Sequence, residues 1–286
     1  MAPIVSVILP VRNAATTVEA QLDALAGQTF AGPWELLVAV QPSDDDTEAV
    51  VTRFAVAHDA APDVHVVHAS GQAGAGYARN QAAAAARGPL LAFCDGDDVV
   101  DERWLEELLA VEGEVRVGLV VPFTGTLDTA SVDRSGAYLP PVECDFLPTA
   151  YTCNMAVDHD RFNAVGGFDL HFHRNHDVEL SWRLQLAGAS ITPTERAVVF
   201  KRDRGTRKAH WLQQYRWARY EPGLYRRYRS DGMPSSSARS FARDLAWLVL
   251  RVPVAWHPRW QSLWLHRSAR RLGRVVGSVL ERTVYL

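Results

Sequence analysis

The first hundred residues alternate between short apolar runs and segments with helical spacing, and this alternation constrains the fold more than any other feature. VSVIL (5–9) is followed by Val18, Leu22 and Leu25 at helical spacing, then by WELLVAV (34–40) and a helix after Asp46. VHVVH (64–68), a helix from Tyr77 to Ala86, LLAFC (90–94) and a helix opening at Asp101 continue the pattern. Strands that are apolar on both faces imply a mostly parallel α/β sheet flanked by helices. Ligands of such sheets bind beyond the carboxyl ends of the strands.

Composition sets the outer bounds. With 286 residues and 48% hydrophobic content, the chain suits one large domain or two small ones. MAPIVSVILPVRN runs straight into a strand with no basic, then apolar, leader pattern, so a cytoplasmic protein is expected, with contact at the inner face of a membrane as an option. Cys94, Cys144 and Cys153 form no CxxC pair, which argues against a disulfide framework or a zinc site. The longest apolar stretch, Leu245 to Leu250, is far short of the roughly 20 residues that span a bilayer.

Charge is unevenly placed. Residues 201–286 hold 19 Lys and Arg against 5 Asp and Glu, whereas residues 1–200 hold 11 against 28. The turn in RSDGMPSSSARS marks a boundary. This predicts a domain over 1–230, with a nucleotide-binding part over about 1–100 and an acceptor part over about 101–230, followed by a basic, Trp/Arg-rich helical tail over 231–286. Trp247, Trp256, Trp260 and Trp264 lie among Arg251, Arg259, Arg267, Arg270, Arg271 and Arg274, a mixture suited to packing on the acidic body, a homodimer or an anionic membrane. No nucleic-acid partner is expected.

In LLAFCDGDDV an apolar strand ends in Asp95, Asp97 and Asp98. Three carboxylates repel one another unless something positive lies between them, and oxygen ligands suit Mg²⁺ or Mn²⁺. Helix capping explains less, because Asp101 stands in the cap position before ERWLEELL.

PVRN (10–13), GAGYARNQAAAAARG (74–88), FCDGDD (93–98), GGFD (166–169) and HDVELSWRL (176–184), in that order, resemble the family 2 inverting glycosyltransferases of the Rossmann-like GT-A fold. The resemblance covers about residues 3–230. It implies a metal-dependent transfer of one sugar from a nucleotide-sugar donor to an acceptor hydroxyl, in surface polysaccharide, glycolipid or natural-product glycosylation. Asp95 and Asp97 would hold a Mn²⁺ or Mg²⁺ ion on the donor diphosphate, and Asp98 would support the site or face the sugar. Asp177 would be the base for the acceptor, and its alternative is plain helix capping. Pro10, Val11, Arg12, Asn13, Gln41 and Arg79 would contact the donor, with a surface salt bridge as the alternative for Arg79.

The sequence departs from the family at two places. The family pattern VDDGSxDGT reads AVQPSDDDT, so Val40 and Gln41 stand where two Asp residues usually sit, and Asp44, Asp45 and Asp46 read as a turn capping the next helix. The Glu that usually precedes the base is His176; with His171 and His173 it forms a cluster more in keeping with an exposed loop than with a metal site. QQYRW (213–217) matches the QxxRW string of processive members, but without membrane-spanning helices a single addition is expected. Asn154 reads either as an acceptor-side residue or as a turn residue. The competing function is a noncatalytic GT-A-like binding or assembly protein.

Overall fold

The computed structural model describes residues 1–57, 63–203, 205–254 and 257–286. Trp256 and the side chain of Arg259 lie outside the described residues. The elements in chain order are β1 (Val5–Val11), α1 (Val18–Ala26), β2 (Trp34–Val40), α2 (Thr47–Ala57), β3 (Asp63–His68), α3 (Ala75–Ala85), β4 (Leu90–Phe93), β5 (Val99–Val100) and α4 (Trp104–Leu109). They continue with β6 (Val115–Phe123), β7 (Val142–Glu143), β8 (Leu147–Pro148), β9 (Met155–Asp158), α5 (His159–Ala164), α6 (His176–Leu186), β10 (Ile191–Arg202), α7 (Arg207–Tyr228), α8 (Ala238–Leu250) and α9 (Pro258–Leu280). Two compact units result: Met1–Pro141 with Pro148–Asp203, and Val142–Leu147 with Arg204–Leu286.

The first unit is built on an eight-stranded sheet in the order β3-β2-β1-β4-β9-β6-β10-β5. Six strands run one way, while β9 is antiparallel to β4 and β6, and β5 is antiparallel to β10. The expected mostly parallel sheet flanked by helices is therefore what the chain builds. Strand periodicity sorts the core into two layers. Val5, Val7, Leu9 and Val11 pack with Leu22 of α1, Phe54 of α2 and Trp104 of α4. Ile8, Leu91 and Phe93 face Ala78 and Ala82 of α3 and Leu180 of α6 on the other side.

The helix expected from Asp101 begins at Trp104. Asp101 does not cap it through its side chain; its Oδ1 accepts from the Arg103 amide at 3.1 Å, closing a turn ahead of the helix. Asn154 proves structural: fully buried, its Oδ1 accepts from Trp104 Nε1 at 2.8 Å while its amide nitrogen donates to the Leu119 and Ala197 carbonyls at 2.9 Å. One side chain thus joins α4 to β6 and β10 beside β9, a task for which only a buried donor–acceptor pair is suited.

The second unit is a helical assembly. Cβ atoms at Gly273 and Gly277 of α9 would lie 2.5 Å from the Tyr215 carbonyl and 2.1 Å from the Arg219 carbonyl of α7, so only glycine allows this approach. Buried Glu221 of α7 takes Arg270 and Arg274, and Asp244 of α8 takes Arg267 and Arg271. Arg251 and Arg267 each lie over the Trp247 ring, and Trp264 donates to the Leu248 carbonyl. Much of the tail's Trp/Arg content is therefore internal. QQYRW lies on α7, with Gln214 buried and Arg216 exposed, as expected of a helix with one packed face. No described helix is long and apolar enough to cross a membrane.

Candidate functional site

The carboxyl ends of β1, β2 and β4 carry the PVRN, QPSDDD and DGDD segments, and their side chains tie these loops together. Asn13 adopts a left-handed conformation (φ 49°); its Oδ1 accepts from the Asp44 amide at 2.8 Å and its backbone amide donates to Ser43 Oγ at 3.0 Å. Asp45 binds the amides of Ala15 and Thr47, while Thr47 Oγ1 accepts from the Ala14 amide. Asp45 is thus the residue that organises the entry to α2, and Arg12 is exposed. Gln41 is buried and its amide is engaged internally: it donates to the Gln72 and Ala69 carbonyls at 2.7 and 3.4 Å and accepts from Gly74 N at 3.1 Å. It shapes the loop that opens α3.

Gly96 separates Asp95 from Asp97 because a Cβ there would lie 2.9 Å from Val11 Cγ1. The DGDD turn consequently rests directly on the end of β1, bringing Pro10 and Val11 beside the carboxylates. Asp95 pairs with Arg79 and lies 3.8 Å from Lys201 Nζ. Burial works to raise Asp95, but the charges of Arg79 and Lys201 outweigh it and hold the carboxyl below its ordinary value. Asp98 is almost fully buried; Lys201 Nζ lies 3.1 Å away, and Arg202 N donates to its other oxygen at 3.0 Å. Burial, reinforced by Asp95 and Asp97, pushes Asp98 up to about 7 against the pull of Lys201. Asp97 is the exposed member of the three.

Oxygens of Asp95 and Asp98 and the Cys153 sulfur lie within 4.8 Å of one another. This group does not suit a hard divalent ion. Lys201 already supplies the positive charge between the two carboxylates, and burial pushes the Cys153 thiol up to about 12, leaving it protonated. The residues that do fit such an ion are exposed Asp97 and the outward side of Asp95, which is 25% exposed.

A second chain of contacts runs from α3 to α6. Arg79 is 3% exposed, lies over the Phe168 ring and places Nη1 2.8 Å from His176 Nε2. Arginine can only donate, so Nε2 accepts and the imidazole proton sits on Nδ1. Burial, helped by Arg79, pushes His176 down to about 4 against the nearby Asp177 and Asp95. The His is neutral at pH 7, and its Nδ1 and Arg79 Nε are buried donors without a partner among the described residues. Asn80, next to Arg79, clamps GGFD by accepting from Phe168 N and donating to its carbonyl, both at 2.9 Å.

Asp177 is half-buried in the first turn of α6. Its Oδ1 accepts from Val178 N at 3.0 Å, leaving Oδ2 without a hydrogen bond among the described residues. Arg79, in contact with both Asp95 and His176, links the carboxylate turn to the start of α6, where Asp177 follows His176. His171 and His173 are exposed and stand apart from the carboxylate group of Asp95 and Asp98. Lys201 is the functional candidate missed by sequence reasoning. The only signal was a lysine closing an apolar strand, AVVFK, which has no meaning until β10 is placed beside the DGDD turn.

The model of glycosyl transferase family 2 matches residues 6–136. Glycosyltransferase AglE of Haloferax volcanii is 30% identical over 197 residues, covering 66% of this chain and 64% of that protein. The pre-mycofactocin glycosyltransferase of Mycobacterium tuberculosis is 30% identical over 226 residues, covering 73% and 44%. The chain thus spans less than two thirds of the length of either relative. Among solved structures, the mannosyltransferase PcManGT of Pyrobaculum calidifontis in complex with GDP-Man and Mn²⁺ superposes with a TM-score of 0.66 at 17% identity, covering 99% of this chain and 88% of that one. Staphylococcus aureus TarS 1–349 in complex with UDP gives a TM-score of 0.55 at 16% identity, covering 99% and 93%.

Proposed function

Because the chain belongs to the family 2 glycosyltransferases of the GT-A fold, we propose that it moves a single sugar from a nucleotide-sugar donor to an acceptor hydroxyl with inversion at the anomeric carbon. One observation carries this reading: Arg79 pairs with Asp95 at the end of β4 and lies 2.8 Å from His176, the neighbour of Asp177, whose Oδ2 is uncommitted among the described residues.

The bond from the anomeric carbon to the diphosphate breaks as the bond to the acceptor oxygen forms, and the acceptor proton passes to Asp177. Pro10, Val11, Arg12 and Asn13 line the nucleotide side. Arg79 and Lys201 hold Asp95 and Asp98 in place and add positive potential near the leaving group. Asp97, with the outer side of Asp95, would hold a Mn²⁺ or Mg²⁺ ion, which supplies charge neutralisation of the departing diphosphate. The solved neighbours containing GDP-Man with Mn²⁺, or UDP, support this reading of the donor. The two buried donors at Arg79 Nε and His176 Nδ1 are consistent with a polar ligand or water completing the site.

The test is thermal stabilisation by UDP, GDP and dTDP with and without Mn²⁺. One nucleotide should raise the melting temperature, more so with the ion. No shift with any of the three would overturn the donor assignment.

A further inference from the structure

α8 presents an apolar face that none of its own packing uses. Ala242, Leu245, Ala246, Val249 and Leu250 recur at the three- and four-residue spacing of one helix face, and all are exposed, Val249 at 62% and Leu250 at 74%. The opposite side of the helix is the packed one: Asp244 binds Arg267 and Arg271 of α9, Leu248 receives Trp264, and Trp247 lies under Arg251 and Arg267. Exposed Arg239 and Arg243 border the apolar face, and the only acidic residue of the helix, Asp244, is neutralised on the packed side.

We infer that this face of α8 is a docking surface for an anionic lipid bilayer, on which the helix lies in the plane of the interface. The pattern matches the chemistry of that surface: aliphatic side chains enter the acyl boundary while arginines at the border meet anionic headgroups. A second copy is the poorer occupant, because a two-fold contact through this face would bring its bordering arginines toward those of the partner. Nucleic acid is poorer still, since its phosphates would meet a face whose centre offers no hydrogen-bond donor. Spanning is excluded for the described helices, none of which is long and apolar enough. Lipid binding by α8 needs no sugar donor, so it stands or falls separately from the transfer reaction.

The experiment is co-sedimentation of the full chain with phosphatidylcholine vesicles, with and without phosphatidylglycerol. Binding is expected to the anionic vesicles and to weaken with added salt. Replacing Leu245 and Val249 together by Gln should weaken it about tenfold or more, because the apolar contact is lost. Arg239→Gln with Arg243→Gln should remove most of the salt dependence. All these side chains are exposed, so unchanged melting temperatures will show that the variants fold. Failure of the unaltered chain to bind anionic vesicles, or full binding by the Leu245/Val249 variant, would overturn the inference. So would light scattering that shows a stable dimer dissociated by the same substitutions.

Discussion

At the end of β4, charge is balanced by the chain itself. Arg79 answers Asp95 from α3, and Lys201 answers both Asp95 and Asp98 from β10. Lys201→Met should therefore leave Asp98, 1% exposed and already raised to about 7, without its cation, and cost about 3 kcal/mol in chemical denaturation above neutral pH, where the carboxyl would otherwise be ionised. Adding Asp98→Asn should restore most of that loss. No recovery in the double variant would mean that Lys201 acts through packing alone. Asp177→Asn should lower kcat about a thousandfold or more while sparing donor affinity, as expected on loss of a general base; full turnover would sink that role. His176 sets a pH dependence. Its unfolded imidazole gains a proton below about 6.5, whereas the folded one stays neutral until about 4. The unfolded state then binds more protons, so stability is lost as pH falls from 6.5 to 4. His176→Gln should flatten this part of the urea-midpoint profile, and an unchanged slope would count against it. The carboxylates were legible in the sequence because charge at the end of an apolar run is anomalous locally. Their partners were not: Lys201 lies 103 positions from Asp98, and nothing near it hinted at a carboxylate.

Elements show a similar division between local and distant causes. β1, β2, β3 and β4 and the helices between them were readable because each carries its own periodicity and its partner follows in sequence. β5, with two residues, is too short to show a pattern, and β9 is a strand through its antiparallel pairing with β4 and β6, both distant in sequence. β9 is also the antiparallel strand inserted between β4 and β6, where Asn154 joins the surrounding elements. Asn154→Leu would leave the buried Trp104 N–H and two carbonyls unpaired, a loss of about 3 kcal/mol or more. The melting temperature should fall accordingly, and a variant as stable as the original would mean that water replaces the amide. Asn80 performs a comparable task for function, since it clamps GGFD one residue from Arg79.

Over the whole molecule, composition located the charge asymmetry correctly while the turn at 235–237 suggested a boundary that differs from the compact units. Ser237 does cap α8, so the turn is real. It separates two helices of one unit, because α7 packs on α9 through Gly273 and Gly277, a backbone approach that hydropathy cannot register. Glu221 of α7 is 2% exposed and depends on Arg270 and Arg274 from α9. A chain ending at residue 230 would keep α7 but lose both arginines, stranding a buried carboxylate beside newly exposed Ala218 and Leu224. Such a chain should express poorly or melt well below the full chain, and Glu221→Gln should partly recover its solubility by removing the stranded charge. Equal melting temperatures for the 1–230 chain and the full chain would show that α7 holds its place without α9, and that the turn at 235–237 is an independent boundary after all.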